Sequence, residues 1–304
     1  MQLNNVNSPK VLVLMSTYNG EKYLVEQLDS ILNQTDVNIN LVIRDDGSSD
    51  NTIKILRQYK NNYANIHVIE GNNIGACNSF LTLLYDLTKD IVFDYLAFSD
   101  QDDVWMPEKM ENAIKNINID ENILYYSALL YYDNKSKNTV LHKNRYKESF
   151  FESLLVSSFP GCTFVLNKKA FDFIVSFHKP NHAIMHDWFI FQIMSGNKNK
   201  IIYDDKSYIK YRIHGNNFSV LSNNPAKRFK RFWKLSYLEK GSRLKMVNEL
   251  KEGYNCFTSE NLQLLDLMCK YKRNKIKIIH RIFRTRLSMK YKILFMNAIL
   301  FNIY

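Results

Sequence analysis

Asp100, Asp102 and Asp103 lie within four residues of one another, in the segment FSDQDDVW that closes an apolar run. Carboxylates this close repel and raise one another's pKa unless a cation lies between them. Mg²⁺ or Mn²⁺ favours a site of one or two carboxylates plus phosphate oxygens, and it neutralises the charge that grows on a leaving diphosphate. The alternative is a solvated acidic loop in which Asp103 caps a helix starting near Pro107.

A second pair of carboxylates, Asp45 and Asp46, ends another apolar run and leads into Gly47. An ordinary turn with Ser49 or Asp50 as the helix cap explains the residues that follow. It does not explain two adjacent carboxylates, which disfavour each other unless a donor supplies a hydrogen bond. A pyrimidine imide N–H is one donor that fits.

A third polar segment, STYNG at residues 16–20, follows the first apolar run. Its short side chains and its glycine let the backbone pass close to a flat ligand, although most such segments are plain loops.

The elements that carry these segments alternate short apolar runs with amphipathic stretches, which predicts a mostly parallel sheet wrapped by helices. The predicted strands are Val11–Ser16, Ile39–Asp45, Ile66–Glu70 and Tyr95–Ser99. The predicted helices are Glu21–Asn33, Asp50–Tyr59 and Gly75–Leu87. The three polar segments follow strands one, two and four, so we expect them to meet at one sheet edge, where open α/β sheets bind ligands.

The pattern after Asp103 is less regular. We predict a helix at Pro107–Asn116, strands at Ile123–Tyr132 and Ile201–Tyr211, and apolar segments at Cys162–Leu166 and Trp188–Met194. The periodicity beyond Asn216 is helical and basic, at Ala226–Glu239 and Lys275–Arg286. A turn-prone stretch, Asn223–Pro225, marks the expected boundary.

The composition of the 304-residue chain, 46% hydrophobic, is ample for a core and argues against disorder. Four cysteines form no CxxC pair and the first residues lack a secretory layout, so we expect reduced thiols and a cytoplasmic protein. The apolar segment Ile293–Tyr304 is twelve residues long, too short to span a bilayer.

The formal charge of +11 is concentrated between residues 227 and 292. A basic amphipathic helix there would lie on an anionic inner leaflet, or pack its apolar stripe on the rest of the protein and leave its cations in solvent. Nucleic acid is a third polyanion, but no recognition motif accompanies the charge, so we expect no nucleic-acid partner.

Four segments in order, STYNGEKYL, DDGSSDNT, GNNIGACNSF and FSDQDDVW, resemble inverting family 2 glycosyltransferases with the GT-A fold across residues 10–110. The resemblance implies an α/β chain with a Rossmann-like, mostly parallel central sheet flanked by helices. Residues 1–222 would form the catalytic domain, with the nucleotide sugar bound by 8–110 and the acceptor by 111–222. Residues 223–304 would form a basic helical C-terminal extension.

The resemblance also implies roles for individual residues. Thr17, Tyr18 and Asn19 would line the nucleobase pocket, and Asp46 would contact the pyrimidine. Asp102 would be the direct metal ligand of a DxD element, with Asp100 near the ribose and the metal. The remaining donor-binding residues would be Gln101, Asn73, Gly75 and Asn78.

Two later segments extend the resemblance. Asp187, in HDW at 186–188, would be the general base that removes the acceptor hydroxyl proton; the alternative is a helix cap. His214, in YRIHGNN, would supply an imidazole to the metal or the diphosphate, although a lone histidine is more often structural. Arg212 is the alternative phosphate partner there.

The sequences of the segments SDQDDVW, HDW and YRIHGNN are similar to those of family members that build rhamnose-containing cell-surface polysaccharides. This favours dTDP-L-rhamnose as donor, Mn²⁺ or Mg²⁺ as cofactor and a glycan or lipid-linked oligosaccharide as acceptor. A UDP-hexose donor stays open. Two other classes compete: a glycoside hydrolase, which also uses two carboxylates but no nucleotide, and a membrane- or nucleic-acid-associated binding module.

Overall fold

The structure, a computed structural model, describes residues 8–88, 90–133, 138–143, 149–157, 159–213 and 241–304. The strands are β1 (Lys10–Thr17), β2 (Asn38–Asp45), β3 (Ile66–Glu70), β4 (Tyr95–Ser99), β5 (Val104–Trp105), β6 (Ile123–Asp133), β7 (Thr139–His142), β8 (Val165–Asn167) and β9 (Lys200–Ile213). The α-helices are α1 (Leu24–Leu32), α2 (Thr52–Asn62), α3 (Ala76–Asp86), α4 (Lys109–Lys115), α5 (Phe150–Leu155), α6 (Lys168–Val175), α7 (His186–Ser195), α8 (Ser242–Glu252), α9 (Ser259–Cys269), α10 (Lys275–Phe283) and α11 (Met289–Leu300).

Among the described residues, the strands form one nine-stranded sheet in the order β3-β2-β1-β4-β8-β6-β9-β5, with β7 paired to β6. Strands β1 to β4 pair in parallel, as the alternation of apolar runs and helices predicted. The short strand β8 is antiparallel to both β4 and β6, and it joins the two parallel parts of the sheet.

The core has two layers because alternate residues of each strand face opposite sides of the sheet. Val11, Val13 and Met15 pack under α1, α2 and α4. Leu12 and Leu14 belong to the opposite layer, which contains α3, α5, α6 and α7. The continuous apolar sequence of β1 thus reflects burial on both faces.

The C-terminal helices extend the second layer. Leu250, Leu265, Ile282 and Phe295 belong to the same apolar cluster as the sheet, and the Tyr304 hydroxyl donates to the Leu154 carbonyl at 2.9 Å. The described C-terminal helices therefore pack on the rest of the chain through their apolar stripes. The predicted boundary at 223–225 and the predicted helix Ala226–Glu239 lie outside the described residues.

Several helix ends differ from the sequence predictions by two or three residues; helix α2, for example, runs from Thr52 to Asn62 rather than from Asp50 to Tyr59. Helix α1 starts at Leu24 rather than Glu21, because the Tyr23 and Leu24 amides both donate to the Gly20 carbonyl and close a turn first. Helix α10 ends at Phe283 rather than Arg286. Within the described ranges, no helix has the length and apolar character needed to cross a bilayer.

Candidate functional site

The carboxyl ends of β1, β2 and β4 meet at one edge of the sheet. Thr17 is the register partner of Asp45, and Met15 is the partner of Ser99. This register brings STYNG, DDGSSD and SDQDD together, as the sequence predicted, and forms the candidate site.

The Gln101 side chain joins two of these segments. Its Oε1 accepts from the Tyr18 amide at 2.9 Å, and its Nε2 donates to the Tyr18 carbonyl at 3.0 Å. A Cβ at Gly20 would lie 2.3 Å from Gln101 Oε1, so only glycine permits this approach. The bridge fixes the backbone of Tyr18 and leaves 48% of that residue exposed.

Asn19 joins the loops after β1 and β2. Its amide donates to Ser48 Oγ at 2.9 Å, and its Oδ1 accepts from the Ser49 amide at 2.8 Å. Asn19 has a φ of 47°, a conformation that asparagine tolerates better than most residues. The site is therefore tied across its loops before any ligand binds.

The Asp45 carboxylate receives its hydrogen bonds from its own turn and from β1. Its carboxylate accepts from the Thr17 hydroxyl at 2.8 Å and from the amides of Gly47 and Ser48 at 3.1 and 2.8 Å. Thr17 is itself only 1% exposed, so its side chain is an internal support of the predicted nucleobase pocket.

Asp46 holds the loop that precedes α3. One oxygen forms an ion pair with the Arg44 guanidinium and accepts from the Ile74 amide at 2.9 Å, and the other accepts from the Gly75 amide at 2.8 Å. The carboxylate is 2% exposed. The donors that the adjacent carboxylates require thus come from the protein, and the contact of Asp46 with a pyrimidine stays a prediction.

The loop held by Asp46 carries the remaining predicted donor residues. Gly75, with a φ of 81°, directly precedes α3, and Asn78 Nδ2 donates to the Ile74 carbonyl at 3.0 Å. Asn73 is exposed, and its amide lies 3.1 Å from where a Cβ of Gly47 would be. These residues form one ordered wall beside the sheet edge.

The acidic segment after β4 is packed into the protein. Carboxylate oxygens of Asp100 and Asp103 and the thiol of Cys162 all lie within 4.8 Å of one another. Asp103 is fully buried and accepts from the Arg212 amide at 3.3 Å. Helix α4 begins after Glu108, so the alternative in which Asp103 caps that helix is wrong.

Burial and like charges perturb these carboxyls. Burial raises the pKa of Asp100 to about 7, and the charges of Asp102 and Asp187 add to the rise. Burial also raises the pKa of Asp103, with further contributions from Asp100 and Asp102. A site that holds several carboxylates out of water favours a divalent cation, so the residues present fit a metal.

Asp187 lies in the first turn of α7 and interacts electrostatically with Asp100. Burial raises its pKa to about 6, while bonds from the Trp188 and Gly161 amides act in the opposite direction. The N-cap residue of α7 is Met185, and no side chain caps the helix with a hydrogen bond. The alternative in which Asp187 caps this helix is therefore wrong.

Gly161 is a site residue that the sequence analysis missed. Its amide donates to Asp187 Oδ2 at 3.1 Å, and a Cβ there would lie 2.7 Å from the Asp187 Cβ. The available signal was the Pro160-Gly161 pair within an apolar segment, which marks a turn.

Arg212 is buried rather than free to bind phosphate. Its Nε donates to the Asp102 carbonyl at 3.0 Å, its Nη2 pairs with Glu26 at 2.5 Å, and its guanidinium lies 4.6 Å from the Tyr23 ring centre. The phosphate role considered for Arg212 is therefore replaced by support of the Asp102 backbone. His214 lies outside the described residues.

The chain is similar in sequence to known glycosyltransferases. The family model described as "Glycosyl transferase family 2" matches residues 12–175. A protein named dTDP-rhamnosyl transferase RfbG from Shigella flexneri is 34% identical over 212 residues, covering 67% of this chain and 72% of that protein. An uncharacterized glycosyltransferase of Rickettsia prowazekii is 29% identical over 257 residues, covering 80% and 76%.

Two solved structures share the fold at low identity. TarS from S. aureus, in complex with UDP-GlcNAc, superposes with a TM-score of 0.54 at 15% identity, covering 95% of this chain and 90% of that one. The mannosyltransferase PcManGT from Pyrobaculum calidifontis, in complex with GDP-Man and Mn²⁺, gives 0.51 at 14% identity, covering 98% and 86%.

Proposed function

This chain belongs to glycosyl transferase family 2, and on that premise we propose that it moves a sugar from a nucleoside-diphosphate donor to an acceptor hydroxyl with inversion. Its sheet and flanking helices have the GT-A architecture. The observation that carries the proposal is the meeting of Asp100, Asp102 and Asp187 beside the carboxyl ends of β1, β2 and β4.

The donor is proposed to be dTDP-L-rhamnose, and the acceptor a glycan or lipid-linked oligosaccharide of a cell-surface polysaccharide. The name of the 34% identical relative supports the rhamnose donor. In this proposal the exposed ring of Tyr18 stacks on the base, Thr17 and Asn19 shape the pocket, and Gln101 fixes the Tyr18 backbone. The wall of Asn73, Gly75 and Asn78, held by Asp46, borders the donor.

Mn²⁺ or Mg²⁺ is the proposed cofactor, held by Asp100 and Asp102, with His214 as a further predicted ligand. When bound, the ion neutralises charge on the departing diphosphate. The contribution of the chain is to keep these carboxylates together at the sheet edge, with the Asp102 backbone held by Arg212.

Asp187 is the proposed general base. Inversion by single displacement needs one base that takes the acceptor proton as the hydroxyl attacks. Burial keeps the Asp187 carboxylate basic, with its pKa raised to about 6, and the amides of Gly161 and Trp188 orient it.

The test is a transfer assay with dTDP-L-rhamnose, UDP-hexoses and Mn²⁺. We expect dTDP-L-rhamnose to be consumed, EDTA to stop the reaction, and Asp102→Asn to abolish it. Asp187→Asn is expected to lower transfer at least ~100-fold, the usual contribution of a general base, while donor binding persists. Asp172→Asn, at an exposed surface pair, is the matched control.

Two outcomes would contradict the proposal. Release of free sugar from a polysaccharide in the presence of EDTA would favour a glycoside hydrolase. Absence of any nucleotide binding, measured by calorimetry with dTDP or UDP and Mn²⁺, would favour a binding module.

We further propose that the enzyme works peripherally at the inner face of the cell membrane. Residues 271–304 contain nine Lys and Arg residues and no Asp or Glu, a balance suited to an anionic surface.

A further inference from the structure

A cavity of about 890 Å³ opens between α5, α9 and α10, apart from the candidate active site. Its cationic lining consists of Lys277, Arg281, Arg284 and Arg286, with His280 beside them. The rings of Phe150 and Phe151 form part of its wall. We refer to this cavity as the basic groove.

The cations of the basic groove are not neutralised from within. Across the described residues, none of the four has a carboxylate oxygen within 4.0 Å, and the Arg281 guanidinium instead lies 5.6 Å from the Phe151 ring centre. Uncompensated cations that share a concave surface favour a bound anion.

Two carboxylates also line the basic groove, Glu152 and Glu260. Glu152 is 3% exposed, and its oxygens accept from the Ser149 amide at 2.9 Å and the Arg286 amide at 2.5 Å. Its carboxylate is therefore occupied by hydrogen bonds from backbone amides. Glu260 lies in the first turn of α9, where the helix dipole favours a negative charge. The groove keeps an excess of positive charge.

Helix α10 has a second feature beside the basic groove. Ile278 and Ile282 face the core, whereas Ile276 is 85% exposed and Phe283 is 41% exposed. The neighbouring α11 exposes Met289, at 60%. Exposed apolar side chains that flank clustered cations are typical of a helix that lies in a membrane interface.

We propose that the basic groove binds the phosphate of an anionic phospholipid headgroup, while the exposed apolar residues of α10 and α11 enter the bilayer interface. Charge complementarity identifies the occupant, because residues 271–304 offer only cations to a partner. This inference deepens the proposed peripheral location by naming the site and the lipid class it binds.

The basic groove is linked to the candidate active site by one short helix. Phe150 and Phe151 of α5 line the groove, while the Ser153 carbonyl on the same helix accepts from Trp188 Nε1 at 2.5 Å. Trp188 follows Asp187 in α7. A headgroup in the groove therefore sets the position of the proposed base relative to the membrane surface, where a lipid-linked acceptor lies.

Calorimetry with monomeric dihexanoyl phosphatidylglycerol tests the site in the full-length chain. We expect saturable binding that falls roughly 30-fold in the double variant Lys277→Ala/Arg284→Ala, because each cation near an anionic surface contributes about fivefold to the affinity. The matched control is Lys54→Ala/Lys60→Ala, which removes two exposed cations from α2 and should change binding less than about twofold. Equal losses of binding in both double variants would show that only the net charge matters, and would contradict a specific site in the basic groove.

Vesicle sedimentation separates the lipid from a free anion. We expect the chain to bind phosphatidylglycerol vesicles and not phosphatidylcholine vesicles, and the groove variant to lose that binding. If inorganic phosphate binds the groove while phosphatidylglycerol vesicles do not, the occupant is a soluble anion and the proposal is wrong. Nucleotide-sugar turnover without vesicles should be unchanged in both double variants, so a failed lipid site is distinguishable from a failed enzymatic function.

Discussion

The Asp187 carboxylate rests directly on the backbone of Gly161. The Gly161 amide donates to Asp187 Oδ2 at 3.1 Å, and the missing Cβ of Gly161 would lie 2.7 Å from the Asp187 Cβ. The turn that follows Pro160 therefore sets the position of the proposed general base. Asp187 can occupy that position only because Gly161 has no side chain.

Gly161→Ala is expected to displace Asp187 and lower the turnover number by roughly 10- to 100-fold, because a misplacement of about 1 Å at a reacting group costs that much. The donor KM should change little. The measurement is steady-state kinetics with saturating Mn²⁺.

A control glycine lies at the other end of α7. A Cβ at Gly196 would lie 2.2 Å from the Phe257 ring, so Gly196→Ala should lower the melting temperature while the folded enzyme keeps its turnover number. Unchanged turnover in Gly161→Ala would show that the position of Asp187 does not matter for catalysis.

The pH dependence of transfer follows from the charge state of Asp187. Its pKa is raised to about 6 by burial, and the base works only when deprotonated. We expect kcat/KM to rise with pH through about 6 and then level off, falling about tenfold for each unit below the pKa. Asp187→Asn should lose this acid limb. A wild-type profile that stays flat down to the ordinary aspartate pKa would exclude Asp187 as the base.

Asp46→Ala should destabilise the fold. It leaves the buried Arg44 guanidinium unpaired and removes the acceptor of the Ile74 and Gly75 amides. Breaking a buried pair of this kind costs about 3–5 kcal/mol in the free energy of unfolding, which denaturant titration measures. Asp172→Ala, which removes an exposed pair with Lys168, should cost less than about 1 kcal/mol. A stable Asp46→Ala variant with a raised donor KM would instead assign Asp46 mainly to the pyrimidine.

Tyr18→Ala should weaken donor binding, because the half-exposed ring is proposed to stack on the nucleobase. Base stacking on an aromatic side chain is worth about 1–3 kcal/mol, so the donor KM should rise at least roughly fivefold, while Tyr18→Phe stays near wild type. Tyr63→Ala removes another exposed ring, stacked on Tyr59, and should leave the KM unchanged. Equal KM values for Tyr18→Ala and wild type would remove Tyr18 from the pocket.

The sequence predicted the parallel half of the sheet because each strand there is an uninterrupted apolar run followed by polar turn residues. The same logic brought Asp45 and Asp100 to one edge. It could not predict β8, because three residues are too few to show a periodic pattern. In addition, β8 pairs with β4 and β6, which are both far from it in the sequence.

Supporting contacts were harder to predict because they join residues far apart in the chain. Arg212 was considered for phosphate, yet it binds Glu26 and the Asp102 carbonyl, both far from it in sequence. Likewise, nothing local indicated that Asp46 would accept hydrogen bonds from the Ile74 and Gly75 amides of a later loop. Residue type and position at a strand end predicted which residues gather, whereas their partners depended on tertiary packing.

A crystal structure of the chain with dTDP and Mn²⁺ tests the central claim most directly. We expect the ion to bind an Asp102 carboxylate oxygen and the diphosphate, close to Asp100. The nucleobase should lie against Tyr18, and Asp187 should face the space left for the sugar. Asp100 and Asp102 pointing into solvent, with the nucleotide absent or bound elsewhere, would contradict the account.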